Sequence, residues 1–167
     1  MYGKLAKQAA EYLVKSGNIL PFPGVLLPDL RRQRACYVSI IENPGRRLRS
    51  MSGSVLPQTP NLAAEIIHNT SNALSACRIT RPDLPNLRYS VALLGTLQRI
   101  SDPSHLNPSL YGLYVTSDRG KSALLLPNRA GIETADDQIA TALREAGILT
   151  RYESYSLYRF DVSYDDA

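Results

Sequence analysis

The sequence predicts an α+β domain, and three observations carry that prediction. Three segments have the apolar periodicity of amphipathic helices, about six alternate like strands, and the two kinds do not alternate regularly along the chain. A strict strand-helix-strand order would predict a doubly wound sheet. Two hairpins interrupt that order, so about three helices packed on a mixed or antiparallel sheet are expected. The 167 residues are read as one domain, 1–167, long enough to bury a core.

The first helix is expected over 2–16. At 100° per residue Tyr2, Leu5, Ala6, Ala9 and Leu13 gather on one face, with Lys4, Lys7, Gln8, Glu11 and Lys15 opposite. Gly17 supplies the stop. Ala35 to Glu42 alternates as a strand with Cys36, Val38 and Ile40 on the buried face. Asn43-Pro44-Gly45 is a turn, and Arg46 to Ser52 is the return strand. Regular alternation puts Leu48 on one face of it and Arg47, Arg49 and Met51 on the other.

Thr59-Pro60 opens the second helix, with the threonine hydroxyl as N-cap and proline at the first helical position. Leu62, Ala63, Ile66, Ile67, Ala73, Leu74 and Cys77 form its apolar arc. Glu65, His68, Asn69 and Asn72 fall outside that arc. Tyr89 to Leu97 is a strand, and Tyr111 to Leu126 a hairpin turning at Ser117-Asp118-Arg119-Gly120. Thr134 caps the third helix, with Asp136 and Asp137 complementing its dipole, Ile139, Ala142, Leu143 and Ala146 facing inward, and Gly147 ending it. A last strand puts Tyr158, Phe160, Val162 and Tyr164 on one buried face.

Composition narrows the function classes. A hydrophobic content of 44% with 20% charged residues is that of a globular protein. No apolar run approaches the roughly 18 residues of a membrane span. Lysines at 4, 7 and 15 within the first helix exclude a signal peptide. Two cysteines make no disulfide framework, so a reducing cytoplasm is expected. The net charge of +4 permits an acidic partner without requiring one.

The candidate site is Leu48-Arg49-Ser50-Met51-Ser52-Gly53 together with Thr59-Pro60-Asn61-Leu62: a strand, a loop and a helix start. These residues, with GSVLPQTPNLAAEII at 53–67, LPNLRYSV at 84–91, Tyr111-Gly112, Leu124-Leu125-Leu126-Pro127, TADDQIATALREAGI at 134–148 and Leu157-Tyr158-Arg159-Phe160, carry a resemblance. The chain resembles the AMMECR domain family, which includes protein A of the AmmeMemoRadiSam system, over about residues 35–164. The resemblance implies a compact two-lobed α+β fold with a cleft between lobes. It also implies partnership with a Memo-like protein and a radical SAM protein. The family pattern L-R-G-C-I-G is degenerate here. Leu48, Arg49 and Gly53 match it, whereas Ser50, Met51 and Ser52 replace Gly, Cys and Ile. The family's D-P-R-F element is also missing after the second helix.

Each candidate chemistry meets a plainer use of the same residues. A thiol nucleophile needs a thiolate, and the position that would carry one holds the thioether of Met51. Cys36 and Cys77 fall on apolar faces and are expected to be structural. His68 and His105 are expected in solvent, and no metal-ligand spacing is present, so neither a catalytic residue, a metal nor a cofactor is assigned. The helix start at Pro60-Asn61-Leu62 could accept a small anion beside Arg49. Arg31-Arg32-Arg34 and Arg46-Arg47-Arg49, with ten tyrosines, keep a nucleic-acid partner as a weaker alternative, since no nucleic-acid module is recognisable.

The expected function is therefore that of an accessory or interaction subunit beside Memo-like and radical SAM proteins. Its ligand or partner cleft would be formed by Arg47, Arg49, Ser50, Met51, Ser52, Gly53 and Thr59. The alternative is an enzyme or small-anion-binding component that uses a radical or metal supplied by a partner.

Overall fold

A computed structural model describes residues 1–167. The fold is α+β, with helices on two four-stranded antiparallel sheets, and the chain forms two compact units: 1–94 with 163–167, and 95–162.

The first unit contains helix α1 (Tyr2–Ser16), a single turn α2 (Pro28–Arg31), strands β1 (Cys36–Glu42) and β2 (Arg47–Gly53), helix α3 (Leu62–Ser75) and strand β3 (Leu87–Leu94). The last strand of this sheet comes from the chain's end, so its order is β2-β1-β3 followed by residues 162–166. α1 ends as expected at Gly17, in the left-handed conformation (φ 76°) that lets its N–H reach the Leu13 carbonyl. Leu5, Ala6, Ala9 and Ala10 of α1 and Leu62, Ala63, Ile66, Ile67, Ala73 and Leu74 of α3 are buried against Cys36, Val38, Ile40, Tyr89, Val91 and Leu93 of the sheet. Full burial of each large aliphatic side chain contributes about 1.5–3 kcal/mol, so this one-sided packing is the main support of the unit.

The second unit contains β4 (Gln98–Ile100), β5 (Gly112–Ser117), β6 (Ser122–Leu125), helix α4 (Ala135–Ala146) and β7 (Tyr155–Phe160), in sheet order β4-β7-β5-β6. The 111–126 hairpin forms as expected, with Leu113 opposite Leu125. Thr134 and Asp137 make a reciprocal capping box at the start of α4, and Gly147 caps its end at φ 69°. Ala142 is buried with Leu113, Val115, Leu125 and Ile148, and Ile139, Leu143 and Ala146 pack around them.

One expectation for this region is overturned. The final strand is two strands: β7 ends at Phe160, and β8 (Val162–Asp166) belongs to the first unit's sheet. Asp161 lies between them, and its carbonyl accepts the Gly95 N–H at 2.8 Å. Apolar alternation ran unbroken through this junction, so periodicity alone could not reveal it. Tyr164, expected on a buried face, is 52% exposed.

Glu153 is sequestered in this unit, and its carboxylate accepts from Lys121 Nζ at 2.7 Å, Leu149 N–H at 3.0 Å and Ser117 Oγ at 3.1 Å. These donors, Lys121 first, hold its pKa down from 4.5 to about 2. A depressed carboxylate stabilises the fold fully above its unfolded pKa, and that contribution fades as pH falls from about 4.5 toward 2. The urea midpoint of the wild type is therefore expected to drop across this window. Glu153→Gln should start lower and show a shallower acid limb. Parallel acid limbs in the two proteins would refute the assignment.

Candidate functional site

β2 lies at the edge of its sheet and pairs only with β1. Its register is Val38 with Ser52, Ser39 with Met51 and Ile40 with Ser50, and then shifts so that Ile41 faces Leu48 and Glu42 faces Arg47. Arg49 is the extra residue of this bulge. The bulge overturns the alternation expected for the strand, because Leu48 and Met51 now share the outer face of Ser39 and Ile41. They are 55% and 40% exposed.

The arginines point elsewhere. Arg47 donates twice to Glu42 Oε2, from Nε at 3.0 Å and from a terminal nitrogen at 2.6 Å. Arg49 approaches the same oxygen at 3.6 Å and donates to the Arg78 carbonyl, just beyond α3, at 3.3 Å. Met51 therefore does not sit beside two unpaired guanidinium groups. Both arginines share one carboxylate, at the end of the strand.

Ser50 and Ser52 face the helix side. Ser52 Oγ donates to Asn69 Oδ1 at 3.3 Å, and Asn69 Nδ2 donates to the Cys36 carbonyl at 3.3 Å. Asn69, expected outside the apolar arc, is buried as the link between β1, β2 and α3. Burial, reinforced by the Glu65 charge and opposed by the Asn69 hydrogen bond, pushes the Cys36 thiol up to about 12. The thiol is thus held protonated at neutral pH and is no nucleophile. Cys77 is half-buried and donates to the Ala73 carbonyl at 3.3 Å. His68 and His105 are exposed as expected.

The helix start also differs from expectation. Asn61, not Thr59, is the N-cap of α3, and its side chain accepts from Ala64 N–H at 2.9 Å. Thr59 instead donates its hydroxyl to Glu65 at 2.8 Å, and the Thr59 and Gln58 N–H groups each donate to the same Glu65 oxygen, Oε2, at 2.9 Å. Glu65 is fully buried, and its other oxygen, Oε1, has no hydrogen-bond partner. The sequence puts Glu65 outside the apolar arc, and a helical wheel, which sees only its own helix, does not show its burial. The donors come from the preceding loop, and the usable signal was a hydroxyl six residues ahead of a carboxylate. At this helix start, where a small anion could have been accepted, the Leu62 and Ala64 N–H groups are already engaged. Leu62 N–H donates to the Arg32 carbonyl at 2.8 Å, and the first turn already holds a carboxylate.

Gly53 ends the strand opposite Tyr37. A side-chain carbon there would collide with the Tyr37 ring and would stand 2.6 Å from the Cys36 carbonyl oxygen. The motif thus contributes a close backbone approach at Gly53, a buried polar link at Ser52 and an ion-paired rim at Arg47 and Arg49.

Comparison with known proteins gives this arrangement its family. The AMMECR1 family model matches residues 3–164. The chain belongs to the AMMECR1 family. Among AMMECR1 relatives, Protein CA_C1420 of Clostridium acetobutylicum is 32% identical over 168 residues, covering 97% of this chain but only 35% of that protein. The chain thus spans about a third of that relative's length. A Thermotoga maritima protein is 29% identical over 170 residues, covering 96% of this chain and 94% of its own. The fold is that of the crystal structure of uncharacterized protein PH0010 from Pyrococcus horikoshii, with a TM-score of 0.87 at 21% identity, covering 99% of this chain and 89% of that one.

Proposed function

We propose that this AMMECR1-family chain is an accessory or interaction subunit that docks a Memo-like protein and a radical SAM protein through the β2 edge. The observation that carries this reading is the position of the motif strand: an edge strand whose Leu48 and Met51 face outward and are exposed. An edge strand offers unpaired main-chain groups to an added strand, and alternate side chains give the contact its specificity. The groups that could do chemistry nearby already serve the fold. The Cys36 thiol is pushed up to about 12, and Glu65 takes three internal donors.

The Clostridium relative supports the reading, since there the matching segment is one part of a longer chain. The two free cysteines support a reducing cytoplasm as the setting. No helix is long and apolar enough to cross a membrane. The nucleic-acid reading draws less support, because Arg47 and Arg49 are shared with Glu42 rather than free for phosphates.

In this reading Arg49 meets a partner carboxylate at the rim, exchanging its long contact with Glu42. Arg49→Ala is expected to weaken co-elution with a Memo-like or radical SAM partner by about tenfold, in line with loss of a charged hydrogen bond. Its thermal midpoint should stay near wild type, since the partly exposed pair contributes about 1 kcal/mol or less. Equal co-elution of mutant and wild type would count against the proposal.

A further inference from the structure

The uncommitted guanidinium groups of this region lie one residue before β2 and on β3. We propose that Arg46 and Arg88 form a binding site for a small carboxylate carrying a hydroxyl or ammonium group on the adjacent carbon. They line a depression of about 370 Å³ with Ile41, Tyr89, Ser90 and Asp166. The register places Ile41 opposite Arg88 and Ser39 opposite Ser90, on the sheet face turned away from Cys36, Val38 and Ile40. The site is therefore distinct from the Ser52–Asn69 link and from the buried Glu65 carboxylate, which lie on the helix side. Tyr89 contributes its main chain, because its ring is fully buried in the core and pairs across the sheet with Ile40.

The charges choose the ligand class. Unlike those of Arg47 and Arg49, the side chains of Arg46 and Arg88 make no ion pair or hydrogen bond, and Asp166 is paired with neither. Arg46 is held at φ 51°, a left-handed conformation that a non-glycine residue seldom adopts, at the rim of the cavity. Two guanidinium forks match a carboxylate, and Ser90 can add a hydroxyl donor. One acidic group among them leaves room for a single negative charge and disfavours a dianion. Asp166 then accepts from a donor on the ligand, as a hydroxy or amino acid would supply. Ile41 gives an apolar wall for a short side chain.

The test is an amide chemical-shift titration of the full chain with L-lactate, L-alanine, acetate and inorganic phosphate. The expected result is saturable shifts confined to residues 41, 46, 88–90 and 166. Lactate or alanine should bind about fivefold or more tighter than acetate, as a hydrogen bond to a charged group would give. Arg88→Ala should abolish saturation with an unchanged thermal midpoint, since Arg88 is exposed. Asp166→Asn should erase the preference over acetate. Shifts that do not saturate, shifts that survive Arg88→Ala, or phosphate binding tighter than both lactate and alanine would overturn the proposal. None of these outcomes bears on partner docking at β2.

Discussion

Glu65→Ala is expected to unlatch the loop over 54–61 and to lower stability by about 3 kcal/mol or more. The carboxylate accepts from two backbone N–H groups and one hydroxyl through a single oxygen, in a position with no solvent exposure. Alanine leaves all three donors without their acceptor, and each part-buried orphan costs about 1–3 kcal/mol unless water reaches it. Glu65→Gln keeps one acceptor oxygen for the same donors, so a smaller loss is expected. The measurements are the urea midpoint and amide exchange at Gln58 and Thr59, which should lose protection in the alanine variant. Unchanged protection at both amides would show that the latch does not hold the loop.

The second large effect is expected at Gly53. Gly53→Ala forces a methyl group into the Tyr37 ring and against the Cys36 carbonyl, so either the ring or the β1–β2 pairing must move. Overpacking of this kind costs about 1–3 kcal/mol. Because one obstacle is backbone, the upper half of that range is expected. Pairing it with Tyr37→Ala removes the ring but leaves the carbonyl, so the double variant should recover part of the loss. Full additivity of the two substitutions would mean that the ring is not what Gly53 accommodates.

Much of the fold was legible in the sequence because its elements announce themselves locally. The apolar stripe of α1, the Gly17 and Gly147 stops, the Asn43-Pro44-Gly45 turn and the Thr134 cap each depend on neighbours in the chain, and each forms as expected. The misreadings arise where a distant segment intervenes. Asp161 ends a strand because the chain crosses from one sheet to the other, which alternation cannot register. Arg49 bulges because β1 pairs with β2 out of step after Ile40, and this carries Leu48 to the face of Met51. Asn61 rather than Thr59 caps α3 although both are competent caps, because Thr59 is drawn to Glu65.

The candidate site was legible as a place and less so as an arrangement. The degenerate motif does fall on one strand beside α3, and Gly53 does allow close approach. What sequence could not supply was the counter-charge. Glu42 lies five residues before Arg47 across a turn, and it claims Arg47 and Arg49 together. That leaves Arg46 and Arg88, brought together only by the pairing of β1 with β3, as the unpaired cations of the opposite face.

Amide hydrogen exchange tests most directly whether β2 is a docking edge. The chain would be measured alone and with a Memo-like or radical SAM protein, following the amides of residues 47–53. The outward amides of this edge strand are expected to exchange freely in the isolated chain and to slow by about tenfold or more when the partner is saturating. Unchanged exchange across 47–53, with protection appearing elsewhere in the chain, would contradict docking at this edge.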